Sequence, residues 1–129
     1  MIAVTGAAGF IGSAIIWALN KKGKNEIHAV DALSNDDRWK NLSGLKVREY
    51  EEKDAFIKRI ILDDPFLKRE IEGIIHMGAC SSTTEQDASF LIENNYKYTQ
   101  TLAKWCVKNA KKFVYASSAA TYGDGSTGF

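Results

Sequence analysis

The sequence has little cysteine, almost no excess charge and no long hydrophobic run, and each scarcity excludes a class of protein. Its two cysteines, Cys80 and Cys106, lie in different expected elements, so we expect neither a disulfide framework nor a zinc site. Seventeen basic and sixteen acidic residues argue against a nucleic-acid partner. The longest apolar stretch is too short to cross a membrane and has no charged leader. We therefore expect a cytoplasmic location, reduced thiols and no membrane partner.

Length and composition suit a single domain. A chain of 129 residues with 45% hydrophobic content can bury roughly two-thirds of the surface that its unfolded form exposes. We expect this domain to occupy residues 1–122. Residues 123–129 are rich in glycine and are expected to form a flexible tail.

Short apolar runs alternate with helical patterns along the chain. The expected strands are residues 2–5, 26–31, 46–50, 73–77 and 112–117. This alternation predicts an α/β fold with a Rossmann-type, doubly wound parallel sheet, right-handed crossovers and the strand order 3-2-1-4-5. A long helix is expected over residues 88–109, and a shorter one over residues 53–62 that stops before Asp64 and Pro65.

Three glycines follow the first expected strand. Gly6, Gly9 and Gly12 form a G-x-x-G-x-x-G pattern that leads into apolar residues at helical spacing, with Gly23 as the expected helix stop. A pyrophosphate needs this close approach to the backbone at a helix N-terminus. The pattern therefore favours dinucleotide binding. The alternative is a strand, turn and helix whose glycines only permit tight packing.

An acidic residue ends the second expected strand. Asp31 follows the glycine turn by about twenty residues, where a carboxylate can accept hydrogen bonds from the adenosine ribose. The same carboxylate would repel a 2'-phosphate, so binding of NADP needs cations nearby. Arg38, Lys40 and Lys53 are the candidates, and ordinary surface charge is the alternative interpretation of each.

Three motifs occur in order along the chain. They are T-G-A-A-G-F-I-G at residues 5–12, H-M-G-A-C-S-S-T-T-E at residues 76–85 and S-S-A-A-T-Y-G at residues 117–123. Together with Asp31 they resemble the extended short-chain dehydrogenase/reductase family, and the second motif is most similar to the ADP-L-glycero-D-manno-heptose 6-epimerases. The resemblance implies NADP as cofactor (NAD less so), an ADP-linked heptose as substrate, lipopolysaccharide core synthesis as the pathway and a homo-oligomeric enzyme.

The resemblance also implies roles for particular residues. The amides of Phe10 and Ile11 would meet the pyrophosphate, Arg38 and Lys53 would favour NADP, and Ser118 would be catalytic by hydrogen-bonding the reacting hydroxyl or carbonyl. The residues implied to contact the cofactor are Gly6, Gly9, Phe10, Ile11, Gly12, Asp31, Ala32, Arg38, Lys53, Met77, Gly78, Ala79, Cys80, Ser81 and Asn94. Asn95 is the alternative to Asn94 if the helix register differs by one, and Asp36 and Asp37 oppose the preference for NADP.

Proton transfer in the resembled family belongs to a Tyr-x-x-x-Lys pair. No tyrosine of this chain has a lysine four residues later. We therefore expect the N-terminal portion of such an enzyme, with the substrate domain absent, the sheet incomplete at its C-terminal edge and no activity of its own. Two alternatives stay open: another nucleotide-sugar epimerase or dehydratase of the extended family, and a non-catalytic NAD(P)-binding module.

Overall fold

The computed structural model describes residues 1–33, 36–79, 87–118 and 123–125, with only the backbone of Phe90. Five parallel strands form one sheet in the order β3-β2-β1-β4-β5. The strands are β1 (Ile2–Thr5), β2 (Ile27–Asp31), β3 (Glu49–Glu52), β4 (Gly73–His76) and β5 (Lys112–Tyr115). The predicted Rossmann-like fold and strand order are confirmed.

Helices connect the strands. They are α1 (Phe10–Lys21), α2 (Lys53–Ile61), α3 (Pro65–Glu70), α4 (Ala88–Leu91) and α5 (Tyr98–Lys108), with a 3-10 helix at Asp37–Leu42 and a π-helical segment at Ile92–Lys97. We call Ile92–Lys97 the π segment. Within it the chain is wound more loosely, and the Tyr98 N–H bonds to the carbonyl of Glu93, five residues earlier. The predicted long helix over residues 88–109 is therefore one helical stretch with a π segment inside it.

The sheet carries a hydrophobic core on each face because successive strand residues point to opposite sides. One face packs against α2, α3 and α5 through residues that include Ala3, Ile74 and Leu102. The other face packs against α1 and includes Val4 and Ile16. Both faces of the middle strands are therefore covered, as expected for a parallel sheet.

Some predicted boundaries were wrong. Strand β3 lies at Glu49–Glu52 rather than residues 46–50, because pairing with β2 continues into acidic residues that hydrophobicity did not mark. The predicted helix over residues 53–62 does stop before Asp64 and Pro65, because α2 ends at Ile61. The helix α3, which was not predicted, begins at Pro65, where Asp64 accepts the N–H groups of Phe66 and Leu67. Strand β5 ends at Tyr115, which leaves Ser118 beyond the strand.

Candidate functional site

The turn after β1 meets the end of β4. Gly6 has φ +67°, and a Cβ placed on it would lie 2.7 Å from the amide nitrogen of Gly78 and 2.8 Å from the carbonyl carbon of Met77. The Gly78 N–H also donates to the Thr5 hydroxyl over 3.3 Å. Two separate predicted cofactor segments therefore touch where the strands end, an edge that we call the carboxyl edge.

The first turn of α1 is open to an anion. Gly9 is the N-cap residue and has no side chain to cap the amides that follow it. Gly12 packs directly on the carbonyl of Gly6, which brings the helix start onto the turn. The side chains of Phe10 and Ile11 are 88% and 59% exposed. The uncapped amides and the helix dipole together suit a phosphate group.

Asp31 fastens the glycine turn to β2. Its Oδ2 accepts the N–H of Ala8 over 2.7 Å, and its Oδ1 accepts the N–H of Ala32 over 2.7 Å. Asn41 adds a second tie, since its side-chain amide donates to the Ala8 carbonyl over 2.8 Å. The sequence did not predict that the Asp31 and Asn41 side chains bond to the backbone of the glycine turn, because residue spacing carries no signal for such contacts. Each Asp31 oxygen keeps a further lone pair for a ligand hydroxyl.

Arg38 stands at the side of Asp31. Its Nη1 is 3.9 Å from Asp31 Oδ1, and its Nη2 donates to the Ala32 carbonyl over 3.2 Å. Asp36 accepts from Arg38 Nε over 2.7 Å. Asp36, which was expected to oppose the preference for NADP, thus pairs directly with the Arg38 guanidinium. Lys40 instead pairs with Asp37 over 2.9 Å.

Lys53 and Asn94 come together from distant parts of the sequence. Lys53, the first residue of α2, donates from Nζ to Asn94 Oδ1 over 2.7 Å. Asn94 lies in the π segment and borders a cleft of about 350 Å³ beside α2. Asn95 has a different contact, since its backbone carbonyl accepts the Thr99 hydroxyl. It is Asn94, not its neighbour, whose side chain meets Lys53.

The other predicted residues follow the ends of β4 and β5. Met77 and Ala79 continue from β4 at the carboxyl edge, where the Met77 N–H donates to the Thr5 carbonyl over 3.1 Å. Ser118 follows β5 and is exposed. Cys80 and Ser81 lie outside the described residues. The predicted cofactor residues that the structure describes at the ends of β1, β2 and β4 thus lie at the same edge of the sheet.

His76 is a buried polar residue that sequence reasoning did not single out. Its Nδ1 lies 2.5 Å from the Thr5 hydroxyl, and its Nε2 lies 2.8 Å from the Thr99 hydroxyl. Burial lowers the pKa of the imidazole to about 4. The ring is therefore neutral near pH 7 and joins β1 to α5.

Comparison with known proteins identifies the family. Residues 2–128 match the NAD dependent epimerase/dehydratase family. The chain belongs to this family. Its glycine turn, Asp31 and the β4 end therefore lie in an epimerase/dehydratase fold. No helix in the described ranges has both the length and the apolar character needed to cross a bilayer.

The chain spans about two-fifths of the length of the relatives that it matches. The chain is 48% identical over 129 residues to an ADP-L-glycero-D-manno-heptose-6-epimerase of Nitratidesulfovibrio vulgaris (strain DP4), covering 100% of this chain and 39% of the relative. The Helicobacter pylori ADP-L-glycero-D-manno-heptose-6-epimerase structure is 27% identical with a TM-score of 0.76, covering 95% of this chain and 40% of that one. A Bacillus cereus UDP-glucuronic acid 4-epimerase in complex with NAD is 26% identical with a TM-score of 0.73, covering 95% and 41%.

Proposed function

We propose that this chain supplies the cofactor-binding residues of an epimerase that inverts C6 of an ADP-linked heptose, with NADP as cofactor, for lipopolysaccharide core synthesis. The single observation that carries the proposal is the convergence of Gly6, Asp31 and Gly78 at the carboxyl edge. Open parallel sheets bind their ligands at this edge. The 48% identity to a named heptose epimerase supports the choice of substrate.

A nicotinamide dinucleotide fits the residues of this edge. The uncapped amides at Phe10 and Ile11 would receive the pyrophosphate, and Asp31 would accept ribose hydroxyls. When bound, the group supplies reversible oxidation of the C6 hydroxyl to a ketone, which is reduced again from the other face. We propose residues 1–122 as the binding unit. A second candidate, a UDP-sugar 4-epimerase, is supported by the likeness to the Bacillus cereus enzyme.

Other residues of the chain would orient the substrate and the cofactor. Met77, Gly78 and Ala79, with Cys80 and Ser81 after them, would run beside the nicotinamide half. Ser118 would polarise the developing carbonyl. Because no tyrosine precedes a lysine by four residues, we expect the 129-residue chain to bind the cofactor without converting ADP-linked heptose in an epimerase assay.

The preference for NADP should depend on Arg38. We expect Arg38→Ala to raise the NADP dissociation constant about ten-fold while the NAD constant changes less than about two-fold, because a charge-assisted bond to the 2'-phosphate is lost. Lys40→Ala is the matched control, since it removes the same charge two residues away from Arg38. The Lys40 side chain pairs with Asp37. Calorimetric titration measures the NADP and NAD dissociation constants of the unaltered chain and of both variants. Equal losses for both nucleotides would contradict the assignment of NADP.

We also propose that the chain forms a homo-oligomer. Within the described ranges β5 pairs only with β4, and the side chains of Val114 and Tyr115 are more than half exposed. An unpaired strand edge with apolar neighbours favours association. Sedimentation should give species heavier than a monomer, and Val114→Lys should shift them toward the monomer. A monomer at high concentration for the unaltered chain would contradict the proposal.

A further inference from the structure

A continuous series of hydrogen bonds passes through His76. It begins where the Gly78 N–H donates to the Thr5 hydroxyl at 3.3 Å. From Thr5 it passes to Nδ1 of the ring at 2.5 Å, and from Nε2 to the Thr99 hydroxyl at 2.8 Å. It ends where Thr99 donates to the Asn95 carbonyl at 2.7 Å. The series therefore joins the carboxyl edge of the sheet to the π segment.

The direction of each bond follows from its ends. A carbonyl can only accept, so the Thr99 hydroxyl donates its one hydrogen bond to the Asn95 carbonyl. It must therefore accept the hydrogen bond from the ring Nε2–H. The backbone N–H of Gly78 can only donate, so the Thr5 hydroxyl accepts there. Because the neutral ring carries its one proton on Nε2, Nδ1 accepts a hydrogen bond from the Thr5 hydroxyl. The imidazole of His76 is thus the neutral tautomer with its proton on Nε2.

The surroundings of His76 maintain this neutral form. Its ring stacks on Tyr98 with centroids 5.7 Å apart and on Phe113 with centroids 6.2 Å apart. The side chain is 4% exposed, and burial lowers its pKa to about 4. A second ring proton on Nδ1 would face the hydroxyl that now donates to it. Both the apolar stack and the hydrogen bonds therefore favour one protonation state.

The series of hydrogen bonds ends in the π segment, at the Asn95 carbonyl. Asn95 is adjacent to Asn94, whose side-chain oxygen accepts a hydrogen bond from the Lys53 ammonium group. The wide turn of the π segment is closed by the bond from the Tyr98 N–H to the Glu93 carbonyl. Single π-helical turns within α-helices are frequent at functional sites. Lys53 directly follows β3, so its hydrogen bond to Asn94 ties the π segment to the carboxyl edge.

We propose that His76 is a positioning residue that, through Thr99, holds the π segment so that Asn94 and Lys53 face the bound dinucleotide. This inference rests on the proposed function. It assigns to His76 no contact with cofactor or substrate. Its effect on binding passes through Asn94.

Thr99→Val should weaken NADP binding about three- to ten-fold, because it removes one hydrogen-bonding hydroxyl without changing the side-chain shape. Thr101→Val is the matched control: Thr101 makes the same bond to the carbonyl four residues back, at 2.8 Å, but has no contact with His76 among its described bonds. Thr99→Ser should restore the affinity of the unaltered chain. Equal losses for Thr99→Val and Thr101→Val would contradict the inference.

A double-mutant cycle separates positioning from mere stability. If Thr99 acts through Asn94, Thr99→Val combined with Asn94→Ala should bind NADP no more weakly than Asn94→Ala alone. Additive losses would overturn the positioning role and leave the proposed function intact. Absence of NADP and NAD binding by the unaltered chain would instead overturn the proposed function, and the inference with it.

The tautomer can be read without any nucleotide. Nitrogen-15 spectra of the His76 ring should show a protonated Nε2 and an unprotonated Nδ1 at pH 7. In Thr99→Val the Nε2 proton should exchange faster with water, and in Thr101→Val it should not. A ring protonated at Nδ1, or one charged at pH 7, would overturn the inference independently of the binding data.

Discussion

Replacing Gly12 with alanine should destabilise the fold by about 3 kcal/mol or more. A Cβ at this position would overlap the carbonyl oxygen of Gly6 and lie 2.7 Å from its carbonyl carbon. Both atoms belong to the backbone, so no side-chain rotation relieves the clash. The helix start must then separate from the turn, which also carries Gly6 against Gly78. Urea denaturation followed by circular dichroism measures the loss.

Gly9→Ala is the control for this effect. A Cβ on Gly9 would lie 3.2 Å from the Gly6 carbonyl oxygen, a contact that a shift of a few tenths of an ångström relieves. We expect Gly9→Ala to cost less than about 1 kcal/mol. Both variants add one methyl group that approaches the Gly6 carbonyl. Equal stabilities of the two variants would contradict the close packing of α1 on the turn.

Acid should destabilise the protein well above the pH at which carboxylates titrate. His76 binds its proton at about pH 4 in the folded chain but near 6.5 when unfolded, so the unfolded chain holds more protons between these values. Stability is full above about pH 6.5 and falls as the pH is lowered, by about 3 kcal/mol in total for this residue. The thiol of Cys106, with its pKa raised to about 11 by burial, does not titrate in this window.

His28 contributes in the same direction. Burial lowers its pKa, although Glu49 and Glu51 attract a proton to the ring and the Glu51 carboxylate lies 2.9 Å from Nε2. Arg59, which pairs with Glu51, opposes that proton. Between pH 6.5 and 5, His76 should add up to about 1.4 kcal/mol of destabilisation per pH unit, and His28 adds to this loss.

The slope of stability against pH isolates the histidine effect. His76→Gln removes one titrating ring, so the slope between pH 6.5 and 5 should become smaller, whatever the variant's absolute stability. Urea midpoints at closely spaced pH values give this slope. A slope unchanged by His76→Gln would show that the ring is not held neutral in the fold.

The sheet was predictable because its strands are apolar and regularly interrupted. The order 3-2-1-4-5 follows from the alternation of strands and helices, and the pairing confirms it. Strand β3 was misplaced because its residues are Glu, Tyr, Glu and Glu, and their pairing with β2 comes from the backbone. The helix α3 was missed because the cap made by Asp64 resembles a helix stop in sequence.

The candidate site was predictable as a set of positions but not as a set of contacts. The family resemblance implied roles for Lys53 and Asn94 separately, and only the fold brings Lys53 Nζ within 2.7 Å of Asn94 Oδ1. Asp31 was chosen for a ligand, yet its oxygens also accept backbone N–H groups of Ala8 and Ala32. His76 has no spacing signal because its partners come from β1 and α5. Side-chain partners across strands and helices depend on the three-dimensional register, which spacing alone does not give.

The most direct test of the central claim is a proton–nitrogen NMR titration of the chain with NADP. If the carboxyl edge binds the dinucleotide, saturable shifts should appear at the amides of Phe10, Ile11 and Gly78, which lie at the α1 start and the end of β4. The amide shifts of α3 should stay unchanged, because α3 directly precedes β4 and so lies at the opposite edge of the sheet, where the strands begin. Absence of shifts with millimolar NADP or NAD, or shifts confined to other surfaces, would contradict the account.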